Sequence, residues 1–203
     1  MNTIPISKYS VFDWITRGSF FLLIVAVPLF FSFELTTYTL PKVILSQVLA
    51  CLLLAAWLLK MTLQGEFILR PSMLWSPILV FFVLSLFSLF YAMSVPGGMS
   101  LLWQVFAYVI LYFIVINQFR EEEMEFWVLV MSLVGFLVSS YGILQSLGVE
   151  PLLKGFHYIP NIPFSTLGHR NQAAQYIVLL IPLSGAFFLL TSSWTKRVVF
   201  GIS

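Results

Sequence analysis

From Pro71 to Phe119 the chain reads PSMLWSPILVFFVLSLFSLFYAMSVPGGMSLLWQVFAYVILYFIVINQF, 49 residues without one Asp, Glu, Lys, Arg or His. A helix that crosses the hydrocarbon core of a bilayer needs about 20 mainly apolar residues, so this run is far too long for one crossing and long enough for two. The break falls at Val95-Pro96-Gly97-Gly98, where Pro and Gly punctuate an otherwise uniform apolar pattern. The stretch therefore predicts a helical hairpin, residues 74–93 and 100–117.

The rest of the chain carries the same signature. Of its 203 residues 60% are hydrophobic and 9% charged, against roughly 45–50% and about 25% in soluble domains. Eighteen ionisable side chains cannot cover the surface of a water-soluble fold of this size without large apolar patches. Charge-free runs mark four more spans, because a charge at mid-bilayer is costly. The first covers 18–33, between Arg17 and Glu34, with Arg17 snorkelling outward and Pro28 kinking the helix. No small-x-small cleavage site follows it, so it reads as a retained helix and not a signal peptide. The second covers 43–59, between Lys42 and Lys60; the fifth covers 126–147; the sixth covers 172–194, with Pro182 near its middle. Lys196 and Arg197 close the sixth, and residues 198–203 look like the start of a seventh helix. The expected fold is all-α: one polytopic transmembrane helical bundle over residues 1–203, with six spans and the beginning of another. Six spans take up about 120 residues, in line with the apolar fraction.

With the amino terminus in the cytoplasm, the inner segments hold Lys8, Arg17, Lys60, Arg70, Arg120, Lys196 and Arg197, and the outer ones Lys42, Lys154 and Arg170. Seven against three predicts cytoplasmic termini. The run Glu121-Glu122-Glu123, with Glu125, then lies inside and caps the start of the fifth span, where carboxylates are favoured.

A formal charge of +2 and the lack of a basic cluster exclude a nucleic-acid partner. The single cysteine, Cys51, sits in an apolar run and reads as a small buried hydrophobe. Ser132, Gly135, Ser139 and Gly142 share one face of the fifth span and predict a close helix-packing seam. No internal repeat of the kind found in secondary transporters is visible. His157 and His169 stand twelve residues apart with only Glu150 nearby, so metal-ligand spacing is absent, and no phosphate loop, nucleophile elbow or dinucleotide fingerprint occurs. No metal or cofactor is expected.

The longest connection, residues 148–171, falls on the outer side and holds both histidines and three prolines. It ends in Gly168-His169-Arg170-Asn171-Gln172, which delivers polar groups to the start of the sixth span. Such a helix start suits an anion: first-turn N–H groups point outward, the helix dipole is positive there, and a guanidinium grips phosphate oxygens in a fork. Gln172 and Gln175 continue the polar face. The plainer alternative is that these groups solvate an interfacial helix end. His169 is a candidate acid or base, weakened by the lack of a visible partner. Lys42, beside Pro41 at the outer start of the second span, reads first as an interfacial anchor.

The segment Phe164-Ser165-Thr166-Leu167-Gly168-His169-Arg170-Asn171-Gln172-Ala173-Ala174-Gln175-Tyr176, running into Leu179-Leu180-Ile181-Pro182-Leu183, resembles part of the bacterial O-antigen ligase and polymerase superfamily. There a Gly-x-x-Asn stretch precedes an Ala-rich helix ending in Leu-Pro. Leu40-Pro41-Lys42 is similar to that family's early pattern. The resemblance implies a multi-pass glycosyltransferase of the bacterial cytoplasmic (inner) membrane. Its donor would be a polyprenyl-diphosphate-linked glycan, transferred on the outer face to lipid A core or to a growing polysaccharide. It further implies that Gly168, Arg170, Asn171, Gln172 and Lys42 lie on the side that binds the donor pyrophosphate, where cationic groups stabilise the leaving charge without a metal. Family members have about ten to twelve spans, and their main catalytic loop lies beyond the region matched, so the chain is expected to be the amino-terminal half. Two other classes stand beside this one: a small-solute, bicarbonate-like transporter, which calls for ionisable groups inside the spans, and a non-catalytic membrane scaffold that uses the Ser132–Gly142 seam as its contact face.

Overall fold

A computed structural model describes residues 11–30, 39–65, 69–149 and 163–202. All regular structure among them is helical: α1 (Val11–Leu29), α2 (Thr39–Gln64), α3 (Trp75–Ser88), a 3-10 turn (Leu89–Tyr91), α4 (Val95–Gln118), α5 (Glu121–Ser146), α6 (Arg170–Leu190) and α7 (Trp194–Ile202). Five of these, α1, α2, α4, α5 and α6, are long and apolar enough to cross a bilayer. The chain is an all-helical, multi-pass membrane protein.

The hairpin is present, but its break lies earlier than the glycines suggest. α3 holds 14 residues and runs on only as the 3-10 turn, because Ala92 turns extended at ψ 130. Ser94 then caps α4: the Gly97 N–H donates to Ser94 Oγ at 3.4 Å, and Pro96 sits in the first turn. Proline is tolerated there because its missing N–H would have had no intrahelical partner. Val95-Pro96-Gly97-Gly98 is therefore the first turn of a helix and not the loop. Gly98 is needed for a different reason, since a Cβ there would come within 2.7 Å of Leu89 Cδ2.

Other boundaries move as well. α1 starts seven residues before the charge-free run, with Asp13 in its first turn and Arg17 inside the helix, and it ends at Leu29, not Phe33. α6 starts at Arg170 and stops at Leu190. Lys196 and Arg197 lie within α7 instead of closing the preceding helix. Cys51 is exposed, not buried.

The chain divides into two compact units. The first comprises Met1–Phe20 and Ser46–Phe119. In it α3 packs on α4 through Trp75 against Phe113 (5.4 Å between ring centroids) and Phe82 against Phe106 (5.8 Å). The Ser72 and Tyr112 hydroxyls meet at 2.6 Å. Charges sit at helix ends. Lys60 Nζ donates to Asp13 Oδ1 at 2.6 Å and to Gln118 Oε1 at 3.2 Å. Arg70 Nη1 donates to the carbonyls of Ile116 and Phe119, where α4 leaves acceptors without intrahelical donors.

The second unit comprises Phe21–Leu45 and Arg120–Ser203. Here α5, α6 and α7 pack on one another. The small-residue seam of α5 is filled from within the unit. A Cβ on Gly135 would stand 2.5 Å from Leu180 Cδ1, and one on Gly142 would stand 3.7 Å from Ser165 Cβ. Ser132 and Ser184 share a buried hydrogen bond of 2.9 Å. Glu125 on α5 binds Lys196 on α7 at 2.7 Å and accepts the Thr191 hydroxyl at 2.9 Å. Glu123 takes the Arg120 N–H at 3.2 Å and so caps α5 as the acidic run predicted. Phe200 of α7 is buried beside Phe187 of α6 (5.8 Å).

Candidate functional site

The polar groups of the second unit that sequence placed near the sixth span gather around one turn, Ser165–Gly168, just before α6. Three independent contacts fix that turn. Gln145, wholly buried near the end of α5, accepts the N–H groups of Phe164 (3.1 Å) and Ser165 (2.8 Å) on its Oε1. The Ser165 hydroxyl donates to the Val138 carbonyl at 2.6 Å. Lys42 Nζ donates to the Thr166 carbonyl at 2.5 Å across 124 residues of sequence. The backbone is left-handed at Gly168 (φ 78) and, unusually for a side-chain-bearing residue, at Ser165 (φ 53). The Gln145 and Val138 contacts hold Ser165 in that conformation.

Lys42 is not a snorkelling anchor. It is buried, 8% exposed, and its second hydrogen bond reaches the Pro28 carbonyl at 3.1 Å. A cation in the first turn of α2 is disfavoured by that helix's own dipole, but here the ammonium sits on the last turn of α1, where the dipole is negative and carbonyls lack donors. An ammonium carries three N–H donors. Two are used on carbonyls, and no carboxylate among the described residues pairs with it. The Thr166 hydroxyl is also buried and has no hydrogen-bond partner among the described residues.

His169 takes a structural part. It is the N-cap of α6, extended at φ −151 and ψ 131, and its Nδ1 accepts the Asn171 N–H at 3.2 Å. That nitrogen must be unprotonated to cap, which removes it as a proton donor while the contact lasts. The sequence expectation of an acid or base had not anticipated a cap. Arg170 and Asn171 open α6 and are exposed, while Gln172 and Gly168 are half-buried. The structure thus brings Lys42 to the turn that carries Gly168 and leads into Arg170, Asn171 and Gln172. Two stretches that sequence flagged separately are neighbours. Residues 150–162, with Glu150, Lys154 and His157, lie outside the described residues.

Sequence reasoning missed Gln145, Ser165 and Thr166 as members of this site. The available signal was Gln145 itself, an amide in the apolar run Tyr141-Gly142-Ile143-Leu144-Gln145. A buried polar side chain requires partners, and helix periodicity does not say which. A second polar place lies at the other end of α5, a groove of about 540 Å³ lined by Glu121, Glu122, Glu125, Thr191, Ser193 and Lys196. The ion pair in it between Glu125 and Lys196 holds α7 in place. Among the described residues no group of three or more His, Cys, Asp or Glu comes together. Comparison with protein-family models, curated proteins and solved structures found no match to this chain.

Proposed function

We propose that the chain is the membrane part of an O-antigen ligase-like glycosyltransferase. In this reading the turn before α6 faces the diphosphate of a polyprenyl-linked glycan donor at the outer surface of the bacterial cytoplasmic membrane. An acceptor hydroxyl, on lipid A core or a growing polysaccharide, bonds to the anomeric carbon as that carbon's bond to the diphosphate breaks; polyprenyl diphosphate leaves and the hydroxyl proton is released to solvent. The observation that carries the reading is the meeting of Lys42 with the Ser165–Gly168 turn. It brings a buried ammonium, with no carboxylate partner among the described residues, to the turn that leads into a helix start bearing an exposed guanidinium, Arg170. Positive charge and oriented donors of this kind stabilise a leaving diphosphate. Arg170 also lies on the outer side under the seven-to-three charge count, where arginine is disfavoured unless it has work to do. Gln172 continues the polar face beside it, and the acceptor would approach from solvent.

The topology that goes with this reading has six crossings, with α3 and its 3-10 turn as the short third, and cytoplasmic termini. Cysteine at Gly97 reacts with an impermeant reagent from outside, and cysteine at Gln64 does not; the reverse pattern overturns the orientation. For the activity, Arg170→Glu in a cell that carries the gene abolishes transfer of glycan to the surface while the protein still inserts, and Arg170→Lys retains part of it. Wild-type surface glycan with Arg170→Glu overturns the reading and leaves the scaffold. The scaffold is the weaker case, because α6 and the Ser165 turn occupy much of the seam it would use. The transporter is weaker too, since Asp13, Arg17 and Lys60 lie within two turns of the ends of α1 and α2, and Asp13 pairs with both cations.

A further inference from the structure

In the first unit, α3 and α4 leave an apolar groove of about 340 Å³ between them, lined among others by Leu74, Ile78 and Phe81 on one side and Val105, Val109 and Tyr112 on the other. The residues follow helical spacing on both walls, so the groove is a continuous stripe about 10 Å long. α3 holds no buried residue, so its wall is free of other packing among the described residues. One end of the groove is polar. Tyr112, which lines it, binds the Ser72 hydroxyl. One turn further along the same face of α4 the Ile116 carbonyl accepts Arg70 Nη1, which also binds the Phe119 carbonyl at 3.1 Å. The Arg70 side chain is exposed, and its Nε and Nη2 donors have no protein partner among the described residues.

We infer that this groove is a binding site for an anionic glycerophospholipid, with one acyl chain lying between α3 and α4 and the phosphate on the Arg70 guanidinium. An apolar slot ending at an arginine with unspent donors matches the two halves of such a lipid. The carbonyl contacts occupy Nη1 and leave Nε and Nη2 as the donors for a phosphate. A neutral zwitterionic lipid would fill the slot without the same gain, because its own cation competes for the phosphate. The groove belongs to the first unit and the turn before α6 to the second, and neither assignment depends on the other.

The test is native mass spectrometry of the full chain, delipidated in detergent and titrated with dioleoyl-phosphatidylglycerol or dioleoyl-phosphatidylcholine. Wild type retains the glycerol lipid about tenfold better, the scale of one charge-assisted hydrogen bond. Arg70→Gln loses that preference and Arg70→Lys keeps most of it, and Val109→Trp, which fills the groove, lowers retention of both lipids. Equal retention of the two lipids by wild type overturns the inference, as does an undiminished preference in Arg70→Gln with helix content unchanged. If Val109→Trp instead dissolves a dimer and leaves lipid binding intact, a second copy of the chain occupies the groove and the inference fails.

Discussion

Replacing Gln145 by Leu exchanges a carboxamide for a branched alkyl group of similar volume, yet it should be among the more damaging changes in the second unit. Gln145 is wholly buried, and its Oε1 accepts two backbone N–H groups, from Phe164 and Ser165. Leu offers no acceptor, so both donors are stranded. An unsatisfied buried donor costs about 1–3 kcal/mol. Ser165 is buried and bears the full cost, while Phe164 is half-buried and recovers part of it from solvent. The sum is about 2–4 kcal/mol. The loss is also local, because Ser165 is held at φ 53 against its own preference and the amide contact is one of the restraints that keeps it there. The change is measured as the shift in an SDS unfolding titration of the full chain in mixed micelles, followed by circular dichroism, together with amide exchange at Phe164 and Ser165. Gln145→Glu, which keeps the acceptor oxygen, should be less harmful at these two amides than Gln145→Leu. If Gln145→Leu unfolds within about 0.5 kcal/mol of wild type and the two amides stay protected, the latch reasoning is wrong.

His169→Ala should cost about 1 kcal/mol through loss of the α6 cap, and His169→Asn should restore it; if Asn restores glycan transfer as well as stability, the imidazole acts only as a cap. Gly135→Ala forces Leu180 aside and should destabilise the α5–α6 contact by about 1 kcal/mol, because overpacking outweighs the gain in helix propensity. In a Leu180→Ala background the same change should be neutral or favourable, and simple additivity in that double-mutant cycle would refute the contact. Lys42→Met strands the Pro28 and Thr166 carbonyls and should cost about 1–3 kcal/mol by the same unfolding titration. Lys42→Arg, too long and too flat for two converging carbonyls, should not rescue it fully.

Much of the helical layout was legible because the bilayer imposes a one-dimensional rule. Backbone polar groups must be satisfied within the segment, so apolar length translates directly into helices. The rule fails at ends. α1 took Asp13 and Arg17 into the helix because Asp13 pairs with both Lys60 and Arg17, which charge-free length cannot register. α4 took in Pro96 and two glycines because Ser94 caps it, and a proline in a first turn looks the same in sequence as one in a loop. The packing seam of α5 was readable from spacing alone, but its occupants, Leu180, Ser184 and Ser165, were not.

By itself the sequence determined a multi-pass helical protein and a polar stretch, Gly168–Gln172, leading into its sixth apolar run, since both follow from local composition and periodicity. Only the tertiary structure decided what Lys42, Gln145 and His169 do. A buried ammonium, a buried amide and a ring nitrogen must each find hydrogen-bonding partners. For Lys42 and Gln145 those partners lie 14 to 124 residues away in the chain, and for His169 the partner is a helix N–H that exists only because α6 starts there.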